Sequence, residues 1–153
     1  MRKIRPILAT LALLGATTAA CLTTGAAPAM ATAAQCSGGA NGFVDIPDSY
    51  SGGTSHGSVT LRSGATVTLM SDYFSGVQRG YARLSGSNIA GARVWMDWTQ
   101  NGGSSWLQCG PFGPSGGGSL TSASKATSSS ASYEFRACGD IPGVAPYKCT
   151  GWW

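Results

Sequence analysis

Two segments of this chain fit G-x-S-x-G: Gly53-Thr54-Ser55-His56-Gly57 and Gly113-Pro114-Ser115-Gly116-Gly117. In a nucleophile elbow, that pattern sets a serine on a strained strand-to-helix turn, and a histidine later in the chain acts as base. Here the single histidine, His56, lies inside the first segment, and no helical pattern follows either one. Both read as Gly/Ser loops. Hydrolysis by paired carboxylates needs two acids at a set separation. Glu134 alternates with Tyr133 and Phe135 and is expected to point outward from its strand. Asp97 is expected to hydrogen-bond or pair with a cross-strand residue such as Arg93 or Arg136. The cysteines contain no C-x-x-C pair, and His56 is far from them in sequence, so neither a metal nor a cofactor is expected.

The aromatic residues suggest binding rather than catalysis. On the strand that ends at Thr99, Ala92, Val94, Met96 and Trp98 share one face by the period of two, which puts Trp95 on the other face with Arg93 and Asp97. The terminal pair Trp152-Trp153 must likewise place one indole on each face. A row of exposed indoles grips sugar rings by apolar stacking, with polar neighbours for the hydroxyls. Trp95, Trp152 and Trp153 are therefore the ligand-binding candidates. The competing reading has Trp95 and one of the terminal pair covered by the N-terminal segment or a Ser-rich loop.

These residues sit on elements with the signature of short strands. Residues 92–109 read as a hairpin turning at Asn101-Gly102-Gly103, because Asn-Gly tolerates the positive φ of a tight turn. Val59, Leu61, Val67 and Leu69 alternate with Ser and Thr and predict two strands burying one face. Further strands are expected at 42–46, 76–84, 133–138 and 147–153. Residues 110–118 form a loop, and the Ser/Ala/Thr-rich stretch through Ser130 is expected to be a weak edge strand or a linker. With no helical period of useful length, six to eight short strands predict an all-β sandwich.

Arg2, Lys3 and Arg5, an apolar run from Ile7 to Leu22, and the small-residue triplets Ala29-Met30-Ala31 and Ala31-Thr32-Ala33 fit a secretory leader. Cleavage is expected near Ala31 or Ala33, leaving residues 34–153 as one domain. A lipid-modified Cys21 is the alternative, although Thr18 stands where such signals carry Leu. The apolar run is too short and too interrupted for a membrane span. The leader carries three of the ten basic residues, so the net charge of +4 falls to about +1 without it. No basic cluster remains, which argues against nucleic acid or an anionic membrane as partner. Charged residues are only 10% of the chain, against about 25% in ordinary soluble domains. Outside the leader, four cysteines imply two disulfides. Cys138 and Cys149 flank a turn-rich segment and are expected to clip one hairpin, leaving Cys36 to pair with Cys109.

Several resemblances add to this reading. The abundance of Ala, Gly, Ser and Thr resembles secreted proteins of high-GC actinobacteria. Thr99-Gln100-Asn101-Gly102-Gly103-Ser104-Ser105-Trp106 resembles the Asp-box, S/T-x-D-x-G-x-S/T-W, of sialidases and other secreted β-proteins, with Asn101 where that family has Asp. The resemblance implies a structural hairpin whose residue 101 braces the turn and whose Trp106 packs beneath it. It does not imply a sialidase, since the chain is far too short for one. Tyr133-Glu134-Phe135-Arg136-Ala137-Cys138 is similar to the penultimate strand of fibronectin-III and immunoglobulin-like sandwiches, with Trp98 as a candidate core tryptophan. Gly113–Gly117 resembles the G-D-S-G-G of serine proteases, but Pro114 replaces its Asp.

The expected protein is thus a small, secreted, disulfide-stapled β-sandwich, Ig-like or fibronectin-III-like, that acts by binding. The leading reading is a binding or cell-surface module for extracellular polysaccharide. A secreted protease inhibitor presenting loop 110–118 or loop 139–147 is the second, since a loop held rigid before binding loses little entropy on contact. A small hydrolase using His56, Asp97 and Ser115 is the third.

Overall fold

Val59, Leu61, Val67 and Leu69 turn inward together, and the last three are fully buried. They lie in a computed structural model that describes residues 29–153. Most of the expected leader, residues 1–28, lies outside the described residues. The strands are β1 (Ala29–Ala31), β2 (Phe43–Val44), β3 (Thr54–Thr60), β4 (Ala65–Phe74), β5 (Val77–Gly86) and β6 (Arg93–Thr99). After these come β7 (Leu107–Phe112), β8 (Leu120–Thr121), β9 (Ser124–Ala126), β10 (Glu134–Ile141) and β11 (Ala145–Cys149). One short helix, α1 (Ala33–Ser37), follows β1. Eleven strands exceed the expected six to eight because β1, β2, β8 and β9 are pieces of two or three residues.

The strands form two sheets. One has the order β1-β7-β6-β10-β11, the other β2-β9-β5-β4-β3, with β8 also pairing β5. Between them lies one main core, in which Val67, Leu69 and Leu84 of the second sheet meet Val94, Met96, Phe135 and Ala137 of the first. A smaller cluster of Ile46, Met70 and Tyr81, with Tyr50 and Phe74 packed against it, forms separately.

The Ser/Ala/Thr-rich stretch departs from expectation. Its β9 is an interior strand between β2 and β5, and Ser122, Ala123 and Ser124 are all buried. Hydroxyls make this possible by satisfying nearby backbone groups. Ser122 Oγ accepts from Ala82 N at 2.9 Å, and Ser124 Oγ donates to Val44 O at 3.0 Å.

Each disulfide ties one side of the first sheet. Cys36 of α1 bonds Cys109 of β7, and Cys138 of β10 bonds Cys149 of β11. The helix starts at a capping box, with Gln35 N donating to Thr32 Oγ1 and Thr32 N donating to Gln35 Oε1. Ala29–Ala31, one of the two expected cleavage triplets, pairs in parallel with Leu107–Cys109, and Ala31 is buried in the core. Among the described residues, no helix is long and apolar enough to cross a membrane.

Beyond Cys149 the chain continues alongside β10. Phe135 N donates to Trp153 O at 2.7 Å and Trp153 N to Phe135 O at 2.9 Å. Tyr133, just before β10, donates its hydroxyl to Ala126 O at 3.0 Å and so braces the crossing from β9.

Candidate functional site

Alternation along the first sheet puts Val94, Met96 and Ala137 into the core and leaves Trp95, Asp97 and Arg136 on the outer face. The pairing register then aligns Gln108, Asp97 and Arg136 as one row across β7, β6 and β10. The next row holds Trp95 opposite Cys138, which is itself opposite Cys149. Gln108, Asp97 and Arg136 of the first row and Trp95 and Cys149 of the second line a pocket of about 210 Å³, completed by Trp106 and Tyr147.

Arg136 organises this face. Its Nε donates to Asp97 Oδ2 at 2.8 Å. Its guanidinium carbon lies 4.6 Å from the centre of the Trp106 ring and 4.5 Å from that of Trp152. A planar cation that lies over two indoles set edge-on to each other is held in orientation more firmly than a flexible ammonium would be. Trp152 is placed by the hairpin turn, where Gly103 has φ +81° and a Cβ would come within 2.8 Å of Trp152 Nε1. Only glycine fits there.

Asp97 is 2% exposed and lines the pocket. Its Oδ1 is buried without a hydrogen-bond partner. Burial pushes its pKa above the ordinary carboxylate value, against the pull of the Arg136 hydrogen bond and charge. The sulfurs of Cys138 and Cys149 lie close to Asp97, but they are bonded to each other and offer no thiolate for a metal. Of the two pairings foreseen for Asp97, the structure has the one with Arg136. Arg93 instead makes a two-point contact with Asp140.

Of the three tryptophans expected to form a platform, Trp95 and Trp152 lie on the outer face with Arg136, and Trp153 does not. Trp95 is only 8% exposed. A bulge in the β6–β7 pairing brings Gly110 so close that a Cβ there would lie 2.8 Å from Trp95 Cβ, and Tyr147 tilts over the ring at 6.3 Å. Trp152 shares the outer face as one of the two indoles that hold Arg136. Trp153 turns away, stacking on His56 with ring centres 3.5 Å apart and 21° between planes. A second cleft, of about 280 Å³, runs between Trp153, Glu134 and residues 127–131.

The hairpin turn is braced through its side chains. Asn101 Oδ1 accepts from Ser105 N at 2.9 Å, and Asn101 Nδ2 donates to Ser105 Oγ at 2.9 Å. Thr99 Oγ1 accepts from Gly103 N and donates to Ser105 O. Trp106 packs edge-on against Trp152. Trp98 packs against the core, edge-on to Tyr133 at 5.4 Å and beneath the Lys125 ammonium at 4.0 Å.

The groups of the hydrolase reading are each engaged elsewhere. His56 Nε2 bonds Ser71 Oγ at 2.7 Å, and burial lowers its pKa. Ser115 is buried, its Oγ donating to Gly118 O. Asp97 holds Arg136.

Gln108 and Tyr147 carry no motif. Gln108 reaches the pocket through a pairing register that a bulge disguises, and Tyr147 through the disulfide that folds β11 beside β10. What fold and face together define is a disulfide-stapled β-sandwich with a polar-floored, aromatic-walled pocket on one sheet. Compared with known proteins, the chain matches no family model, no curated protein and no solved structure.

Proposed function

We propose that this is a secreted, non-catalytic β-sandwich module that binds extracellular polysaccharide through the outer face of its first sheet. The observation that carries the reading is a pocket of about 210 Å³ on that face, walled by Trp95, Trp106 and Tyr147, into which Gln108 and Arg136 bring side-chain N–H groups that bond nothing else among the described residues. Indole and phenol rings supply the apolar surface that sugar rings stack on. The platform is therefore a pocket on one face rather than a row of Trp95, Trp152 and Trp153. Secretion is supported by the leader-like residues 1–33 and by two disulfides, bonds that persist in oxidising compartments.

The fibronectin-III-like reading of the fold is supported by β10, which lies between β6 and β11 as a penultimate strand should, and by the Tyr133 hydroxyl bonded back to Ala126 O. The Asp-box resemblance is supported by the bonds Asn101 makes within its turn.

Titration of tryptophan fluorescence with soluble glycans and cell-wall fractions tests the binding reading. Tyr147→Ala, which opens the pocket wall, is expected to weaken any response. No response of the wild-type chain across the panel rejects the reading.

A second reading, the protease inhibitor, has one observation in its favour. The hairpin clipped by Cys138–Cys149 exposes Val144 at 64% and Tyr147 at 68%. Loop 110–118 is less suited, since its Ser115 is buried and hydrogen-bonded through its backbone to Ala92 and Gly91. Failure to inhibit subtilisin-like and trypsin-like proteases disposes of the inhibitor.

A further inference from the structure

We infer that the pocket on the outer face of the first sheet selects an N-acetylated sugar ring, whose acetamido carbonyl accepts from Arg136 while its N–H donates to Gln108. This rests on the glycan-binding reading and narrows it to a ligand class.

The polar groups open to a ligand decide the class. Asp97 is not among them, because its Oδ1 is sealed from solvent and its Oδ2 accepts from Arg136 Nε at 2.8 Å. Arg136 is different. Its side chain is 23% exposed, and its two terminal nitrogens bond nothing among the described residues, yet neither is sealed. The Gln108 amide and the Trp95 indole N–H are likewise unbonded among the described residues and unsealed. Arg136 and Trp95 can only donate, so of these three side chains Gln108 alone brings an acceptor, its Oε1. The fitting ligand accepts more than it donates.

A hydroxyl brings a proton that must itself find an acceptor, whereas a carbonyl oxygen brings two lone pairs and no proton. The row adds direction. Gln108 and Arg136 stand on opposite sides of Asp97, on strands two spacings apart, which is roughly 10 Å between backbones. The C=O and N–H of a trans amide point opposite ways, so an acetamido group lying over Asp97 meets Arg136 with one and Gln108 Oε1 with the other. Its methyl then rests on the indole walls of Trp95 and Trp106. A carboxylate would also accept from Arg136, but Asp97 already matches that charge, leaving little to offset the hydration it loses. An ammonium would stand as a second cation beside the guanidinium. At about 210 Å³ the pocket is smaller than the roughly 300–1,000 Å³ of drug-sized sites. It takes one such ring.

The test is calorimetry of the full chain with four sets of short soluble oligosaccharides. Chitin, chitosan and cellulose oligomers share one backbone and differ in a single substituent, which is acetamido, ammonium or hydroxyl. Oligogalacturonate supplies a carboxylate. Chitin oligomers are expected to bind at least about tenfold more tightly than the other three, the worth of one hydrogen bond to a charged donor. Gln108→Leu keeps the bulk of the side chain but no polar atom, and is expected to weaken chitin-oligomer binding several-fold. Gln108→Ala serves if that variant does not fold. Any of the other three sets binding as tightly as chitin oligomers overturns the inference and leaves glycan binding standing. So does a chitin preference that is unchanged in a folded Gln108 variant. Silence of all four sets, while another glycan of the wider panel binds, has the same outcome, and silence across that panel overturns both.

Discussion

Arg136 and Asp97 stand directly opposite each other in the β10–β6 register, joined Nε to Oδ2 at 2.8 Å, with the guanidinium over both Trp106 and Trp152. The pair couples the two hairpins of the first sheet and the chain terminus. Removing one partner from a buried ion pair leaves an uncompensated charge and costs about 3–5 kcal/mol. Arg136→Ala is therefore expected to lose about 3 kcal/mol, the low end, because the arginine is partly solvated. Arg136→Lys should recover only part of this, since an ammonium lacks the planar face and the Nε–H that the guanidinium offers to the indoles and to Asp97. Urea denaturation of the two variants checks both values. Equal stability of Arg136→Ala and wild type would mean the pair contributes nothing.

Asn101 stands where the Asp-box has Asp, and its surroundings predict what the exchange does. Its Oδ1 already accepts from Ser105 N, and its Nδ2 donates to Ser105 Oγ. In Asn101→Asp the Ser105 hydroxyl can rotate and donate instead, so that variant is expected to match or exceed wild type by a few tenths of a kcal/mol. Asn101→Ala loses both bonds and should cost about 1–2 kcal/mol. Thermal denaturation of the three chains measures this. A destabilised Asn101→Asp would argue against the resemblance.

Much of this scaffold was legible from local chemistry. Period-two alternation at Val59–Leu69 and around Trp95, the Asn-Gly turn, the cysteine pairing and the Arg136 option for Asp97 each depend on neighbours a few residues apart or on elimination among few partners. Burial of Trp95 was not legible. It depends on a bulge at Gly110 and on Tyr147 arriving from β11, both set by tertiary register. The Ser-rich stretch misled for a related reason. Low hydrophobicity usually marks a linker, but here hydroxyls bond to backbone inside the sandwich, a role that only the packed neighbours reveal.

The Cys138–Cys149 bond closes a short loop, with a sequence separation of 11, and Cys36–Cys109 a long one, with 73. Loop-closure entropy assigns roughly 3 kcal/mol to the first and roughly 4 to the second. Cys138→Ser/Cys149→Ser is expected to remain folded but to lose the pocket wall that Tyr147 provides, so any ligand response should weaken more than stability requires. Peptide mapping without reduction identifies the pairs, and calorimetry gives the two losses. Mapping that links Cys36 to Cys138 would contradict the pairing.

Tyr81 is fully buried, donates to Gly52 O at 2.6 Å, and has its pKa pushed up to about 12, chiefly by burial, with Tyr50 and Asp72 adding. Unfolded, it titrates near 10.0. Between these values the native state holds the proton more tightly, so Tyr81 contributes stability that is present below pH 10 and lost as pH rises toward 12. Lys125 works in the opposite sense, because burial lowers its pKa from 10.5 and stability rises with pH up to that value. Tyr81→Phe is expected to flatten the alkaline loss relative to wild type, at the expense of about 1 kcal/mol for the missing hydrogen bond. Denaturation midpoints from pH 8 to 12 provide the comparison. Parallel curves for the two chains would rule Tyr81 out as the titrating group.

His56 stacks on Trp153 at 3.5 Å while its Nε2 bonds Ser71 Oγ, and burial holds its pKa below 6.5. A histidine whose folded pKa is depressed contributes stability that is present above 6.5 and lost as pH falls toward the folded value, because the unfolded chain binds the proton first. Protonation also turns the imidazole into an electron acceptor against the excited indole. Tryptophan emission is therefore expected to fall with acid through a single step below pH 6.5, and His56→Gln should abolish that step while leaving the remaining indoles unaffected. Trp153→Phe should remove the same component, since the Arg136-bound pair of indoles is separate from it. A step that survives in His56→Gln would place the quenching group elsewhere, with Asp97, which lines the same pocket as Trp95 and Trp106, the next to test.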